Sequence, residues 1–254
     1  MKRVVIGVVV GVVAFLNAAI ASVQGAMLDL TAMPSDGSFS GALFQTTAPS
    51  GSGTGAIQSF LRIQEDPVEQ GYNTDGSPKP FDEHDDPHTH SLLLTSVPIV
   101  TIDGTAYREF LLDVNEGGDK LVSLDTLQFY LGSAGDFTTT TVSSLGTLVY
   151  DMDTVLVDDT DNWIKLKNNS GSGAADMFAY IPNSVFTGPN QFVYLYSFFG
   201  TNIGSDGGFE EWAVRKPTTP PPPPPPEIPE PASLLLMSTG LFGLLGVRVS
   251  RKRG

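Results

Sequence analysis

From residue 27 to about residue 215 the apolar residues never hold a helical period. Short runs rich in Val, Ile, Thr, Tyr and Phe are instead cut every few residues by Gly, Asn, Asp and Ser, which is the punctuation of strands and tight turns. The clearest case is Ile99 to Ile102, then Asp103-Gly104, then Thr105 to Val114. Asp-Gly supplies the positive φ values of a two-residue type I′ turn, so this stretch is expected to be a β-hairpin. Further strands are expected at Ala56 to Ile63, Leu92 to Ser96, Thr126 to Leu131, Leu145 to Asp151, Trp163 to Lys167, Met177 to Ile181, Phe192 to Phe199 and Phe209 to Val214. In Trp163-Ile164-Lys165-Leu166-Lys167 the two-residue period puts Ile164 and Leu166 on the core face. As one open sheet, strands of this number would leave a face of Leu, Phe and Tyr in water, so two sheets must pack together. The expected fold is therefore all-β, a β-sandwich of jelly-roll-like form over residues 56–215. Residues 22–55, with the flexible run Gly51 to Gly55, read as an N-terminal segment and linker, and Asn183 to Phe186 as one short helical turn. No repeat of fixed period is visible, which disfavours a solenoid or propeller.

Charge excludes several function classes. Of the 14 Lys and Arg, six lie at the two ends (Lys2, Arg3, Arg248, Arg251, Lys252, Arg253), leaving eight bases among all 28 acids in the middle. Such a field repels phosphate backbones, so no nucleic-acid partner is expected, and cations are the natural companions. The chain has no cysteine, which removes disulfides, thiolate metal sites and cysteine nucleophiles together.

Both ends read as addresses. In residues 1–21, Lys2-Arg3 precedes an uncharged apolar run, and Ala19-Ile20-Ala21 fits the A-x-A pattern for cleavage before Ser22. That is a secretory signal peptide, and it implies passage through the Sec translocon. Composition changes abruptly at Pro217: ten of the 19 prolines fall between Pro217 and Pro231, seven of them consecutive from Pro220 to Pro226. Residues 216–228 therefore read as a semi-rigid polyproline II linker. Ala232 to Val247 is uncharged and is followed by Arg248, Arg251, Lys252 and Arg253. As a helix it would be about 24 Å long, a minimal membrane span with its basic end cytoplasmic and the head outside.

Pro229-Glu230-Pro231, the apolar Ala232-Ser233-Leu234-Leu235-Leu236 with Gly240 to Gly246, and the basic residues Arg248 to Arg253 come in this order. Together, over 229–254, they resemble the PEP-CTERM sorting signal of exopolysaccharide-producing Gram-negative bacteria. The resemblance implies recognition at Pro229, Glu230 and Pro231 by exosortase, a membrane-embedded cysteine transpeptidase, with the apolar run as a temporary hold on the membrane and the bases setting topology. It makes this chain the substrate of that chemistry. The implied course is export across the inner membrane, transient anchoring, then a cell-surface or extracellular location, with a structural or adhesive role beside exopolysaccharide.

Two clusters in the head have the composition of metal sites. His84, His88 and His90 fall in one acidic segment, and His88 and His90 would point to the same side of a strand. The acids precede the pair, and Leu94 and Thr95 stand where a cupin-type Glu belongs. Asp151, Asp153, Asp159 and Asp161 offer oxygens suited to calcium, although Trp163 stands where a third EF-hand ligand should be, so any site must be assembled from separate loops. No G-x-S-x-G elbow, Walker loop or dinucleotide fingerprint occurs. The reading is a non-enzymatic head. A secreted carbohydrate-binding module or a metal-dependent carbohydrate-active enzyme stands as the alternative.

Overall fold

A computed structural model describes residues 25–46, 57–85, 87–117, 120–153, 161–168 and 175–216. The signal peptide, the stalk beyond Lys216 and the sorting segment with its expected span at 232–247 lie outside the described residues. Among the described residues no helix is long and apolar enough to cross a membrane.

The described chain is built from strands. In order they are Met27–Asp29 (β1), Asp36–Phe39 (β2), Ala42–Thr46 (β3), Ile57–Ile63 (β4), Glu69–Tyr72 (β5), Leu92–Leu93 (β6), Ile99–Ile102 (β7), Thr105–Val114 (β8), Leu121–Gly132 (β9), Thr147–Asp151 (β10), Trp163–Lys167 (β11), Met177–Pro182 (β12), Phe192–Phe199 (β13) and Glu210–Arg215 (β14). Three short 3₁₀ turns, Leu94–Ser96, Val142–Ser144 and Asn183–Val185, join them. The first sheet runs β1-β11-β9-β13-β5, and the second β2-β3-β12-β8-β14-β4. Several long strands carry two short partners end to end along one edge. β9 takes β11 along Leu121–Leu124 and β10 along Gln128–Leu131, while β8 takes β7 and then β14. The fold is all-β and fits a β-sandwich.

The β7–β8 hairpin forms as its sequence requires, with Ile102 opposite Thr105 and with Asp103 and Gly104 at φ 48° and 80°. β11 buries Ile164 and Leu166 and leaves Trp163, Lys165 and Lys167 half-buried. The expected strand at Leu92 to Ser96 is a two-residue strand followed by a 3₁₀ turn. The domain begins earlier than residue 56. β1 pairs in parallel with β11, and β3 pairs with β12, so residues expected to precede the head supply strands to both sheets. β5 also went unforeseen.

The main core lies between the sheets. Phe110 of the second sheet meets Phe129 of the first at 4.6 Å between ring centroids, and the Trp212 indole N–H donates to Ser197 Oγ across the gap at 3.1 Å. A second apolar cluster covers the outer face of the first sheet. There Tyr72, Tyr130, Leu145 and Tyr194 are buried, and Tyr72 and Tyr194 donate to the carbonyls of Thr139 and Ala134. Tyr194 is therefore a core residue with its hydroxyl satisfied, as a buried tyrosine needs.

Candidate metal centre

Among its described residues the histidine segment does not gather a ligand set. His84 Nε2 lies 3.0 Å from Gln64 Oε1, and its ring stands edge-on to Phe209 at 4.9 Å. Both ring nitrogens of His90 face main-chain carbonyls, of Ser91 at 2.8 Å and of Ser59 at 3.1 Å. His88 is exposed. His90 also lines a groove with Gln58, Ser91, Leu93, Ser96 and Phe192, but with its nitrogens turned into the fold.

Asp151 and Asp153 of the second cluster are likewise occupied. Asp151 accepts from the Asp153 N–H at 3.1 Å and from Gln128 Nε2 at 2.8 Å, and Asp153 accepts from the Asn162 N–H at 2.7 Å. Burial pushes the Asp151 carboxyl up from its ordinary range, against the pull of those donors. Asp161 is exposed, and Asp159 lies outside the described residues, as do Ala19, Ala21, Ser22 and the sorting residues Pro229, Glu230, Pro231, Arg248, Arg251, Lys252 and Arg253. Asp151 and Asp153 shape a loop by capping its N–H groups.

A different set converges. Glu69 opens β5 in the first sheet, Glu210 opens β14 in the second, and Glu116 follows β8 by two residues. One carboxylate oxygen from each lies within 4.8 Å of the others, and among the described residues no other group of three such donors does so. All three are buried, with exposures of 0%, 2% and 0% for Glu69, Glu116 and Glu210. Glu69 Oε2 accepts from the Glu65 N–H at 3.2 Å, and Glu116 Oε2 from the Asp206 N–H at 2.8 Å. Among the described residues no donor meets hydrogen-bond geometry at Glu69 Oε1, Glu116 Oε1 or either oxygen of Glu210, although the nearby Ser205 hydroxyl pulls the Glu69 and Glu116 carboxyls down against the effect of burial.

Local sequence explains the convergence. Glu210 shares the inward parity of β14 with buried Trp212 and Val214, so the pleat aims it between the sheets. The segments around it approach closely because two glycines allow it. A Cβ at Gly200, which sits at φ 95°, would strike the Pro67 carbonyl, and one at Gly208 would strike the Asn115 carbonyl. Ser205 ties the same corner together, donating to the Glu65 carbonyl and accepting from the Gly207 N–H.

The electrostatics follow from burial. Desolvation holds Glu210 well above the usual carboxylate range, with Glu69, Glu116 and Asp206 adding their repulsion. Desolvation also raises Glu69, and it pushes Glu116 up to about 7 with Asp206 beside it. Asp206, at the rim, goes the other way. Contact with Glu116, the Lys120 ammonium at 2.6 Å and the Gly117 N–H hold it below its ordinary value. The ion pairs nearby run outward, from Lys120 to Asp206 and from Arg62 to Glu211.

Comparison with known proteins bears on the other end of the chain. Residues 227–252 match the family model of the PEP-CTERM protein-sorting motif. No curated protein and no solved structure matches the chain. The protein thus carries the motif of an exported protein that is held transiently at the membrane and sorted by exosortase.

Proposed function

We propose that this chain is a non-enzymatic, structural or adhesive component of the cell surface or extracellular matrix, associated with exopolysaccharide. The observation that carries this reading is the sorting motif at residues 227–252 joined to a two-sheet head. The motif makes the chain a substrate to be delivered, and the head is the part delivered. The head's own titratable groups support a scaffold. His84, His90, Asp151 and Asp153 each hold a neighbouring segment through hydrogen bonds, the use to which structural polar groups are put.

The test is made in cells that produce exosortase and exopolysaccharide. The full chain is followed by mass spectrometry and fractionation, beside a Glu230→Ala variant and a strain unable to make the polysaccharide. The reading expects removal of the tail after Pro229-Glu230-Pro231 in the parent, retention of the tail in Glu230→Ala, and release of the head into the medium when the polysaccharide is absent. Processed head that stays attached equally well without polysaccharide overturns the matrix role. Polysaccharide cleavage by the head overturns the non-enzymatic one.

A further inference from the structure

We propose that Glu69, Glu116 and Glu210 hold one divalent cation, calcium by the chemistry of the site, between the two sheets of the head. Three observations carry this. The first is spacing: no two of the oxygens are more than 4.8 Å apart, about twice the calcium–oxygen distance and so within the widest separation that two ligands of one calcium can have. The second is composition. The donors are all carboxylate oxygen, with no nitrogen or sulfur, which selects a hard cation.

The third is that the oxygens pointing into the site meet no hydrogen-bond donor among the described residues. Glu210 is fully buried and neither of its oxygens accepts a hydrogen bond, and Glu69 Oε1 and Glu116 Oε1 are in the same condition. Buried carboxylates without donors are strongly penalised unless something positive sits among them. Lys120 pairs with Asp206 at the rim of this corner. Magnesium keeps several of its waters and suits a wetter site than these buried carboxylates provide, whereas calcium accepts carboxylates in flexible geometry.

The rival occupant is the proton. Glu69 and Glu210 lie close enough that a proton held by one would be shared with the other, which would also relieve the repulsion. The two occupants are separable because one responds to calcium and the other only to acid.

The experiment uses the full chain in detergent at pH 8, followed through the fluorescence of buried Trp212 during heating. Aliquots are metal-free with chelator, or carry calcium, magnesium or manganese, and calcium binding is counted by calorimetry. Extracellular calcium modules bind at about 10⁻⁴ to 10⁻³ M, so calcium near a hundredfold above such a Kd should raise Tm by about 5–10 °C for a domain of this size. Magnesium should raise it less. Glu210→Gln should abolish both the shift and one bound calcium per chain, while melting no lower than the wild type in chelator, because the uncompensated charge is gone. Glu116→Gln provides the same reading should Glu210→Gln fail to fold. Equal Tm with calcium and chelator, with a rise only on acidification, assigns the cluster to protons and overturns the proposal. So does calcium binding that persists unchanged in both variants. Because the readout is heat stability and stoichiometry, failure here leaves the sorting and matrix reading untouched.

Discussion

Two sets of buried carboxylates in the same head are treated in opposite ways. Glu83 and Asp125 are saturated. Glu83 accepts from the N–H groups of Tyr72 at 2.9 Å and Phe81 at 2.7 Å. Asp125, skipped by the register where β9 faces β13, accepts from Ser123 Oγ, the Thr201 and Asn202 N–H groups and Asn202 Nδ2. Glu69, Glu116 and Glu210 are at least as deeply buried, yet four of their six oxygens accept no hydrogen bond from the described residues. A fold that satisfies Glu83 and Asp125 so fully leaves three converging acids unsatisfied for a different reason, and a cation supplies one. The saturated set organises turns; the unsatisfied set waits for charge.

The largest expected effect lies on the saturated side. Asp125→Ala strands the Thr201 N–H and the Asn202 side-chain amide and removes the charged acceptor shared by Ser123 and the Asn202 N–H. It should cost about 3 kcal/mol in denaturant unfolding, the same with or without calcium. A calcium-sensitive loss, or one under about 1 kcal/mol, would erase the distinction between the two sets.

Acidity sharpens it next. Glu69, Glu116 and Glu210 have folded pKa values raised above their unfolded ones, so the folded head binds more protons than the unfolded chain. Their contribution is then complete below about pH 4.5 and is lost as pH climbs through the folded value, about 7 for Glu116. Metal-free protein should lose about 2 kcal/mol between pH 5 and pH 8, less than full one-proton linkage because the Asp206 side of the cluster is screened. Calcium should restore the loss at pH 8. Asp206 has the opposite sign and matters only when pH falls below its unfolded value. Metal-free melts that are flat across this window would contradict the assignment.

Smaller effects probe how the unsatisfied set is held. Gly208→Ala would force β14 away from Asn115 and should weaken calcium about tenfold in calorimetry, as loss of supporting geometry does around metal ligands. Lys120→Ala removes a rim ion pair with Asp206 and should leave the unfolding midpoint almost unchanged. A large effect there would place Lys120, rather than a cation, as the charge that balances the cluster.

Much of the fold was legible because it is written locally. The Asp103-Gly104 turn and the alternation of β11 specify their own geometry, and both form as expected. β1 to β3 were hidden because they are three to five residues long and interrupted by Pro34, Ser35, Gly37 and Gly41. Only their pairing with β11 and β12 makes them strands. The metal question failed in sequence for a related reason. His84, His88 and His90 are neighbours along the chain, but an extended segment carries neighbours apart, and two of the three spend their nitrogens on the backbone or Gln64. Glu69, Glu116 and Glu210 are far apart in sequence and meet only because three strand ends share one corner of the sandwich. One signal was available: Glu210 has the parity of Trp212 and Val214, so an acid was due to face inward.

Diffraction from crystals grown with calcium, recorded where calcium scatters anomalously, tests the central claim most directly. The account predicts one anomalous peak between the sheets, about 2.4 Å from oxygens of Glu69, Glu116 and Glu210. No peak there, with the carboxyl oxygens of Glu69 and Glu210 drawn to about 2.6 Å as in a shared proton, would contradict it.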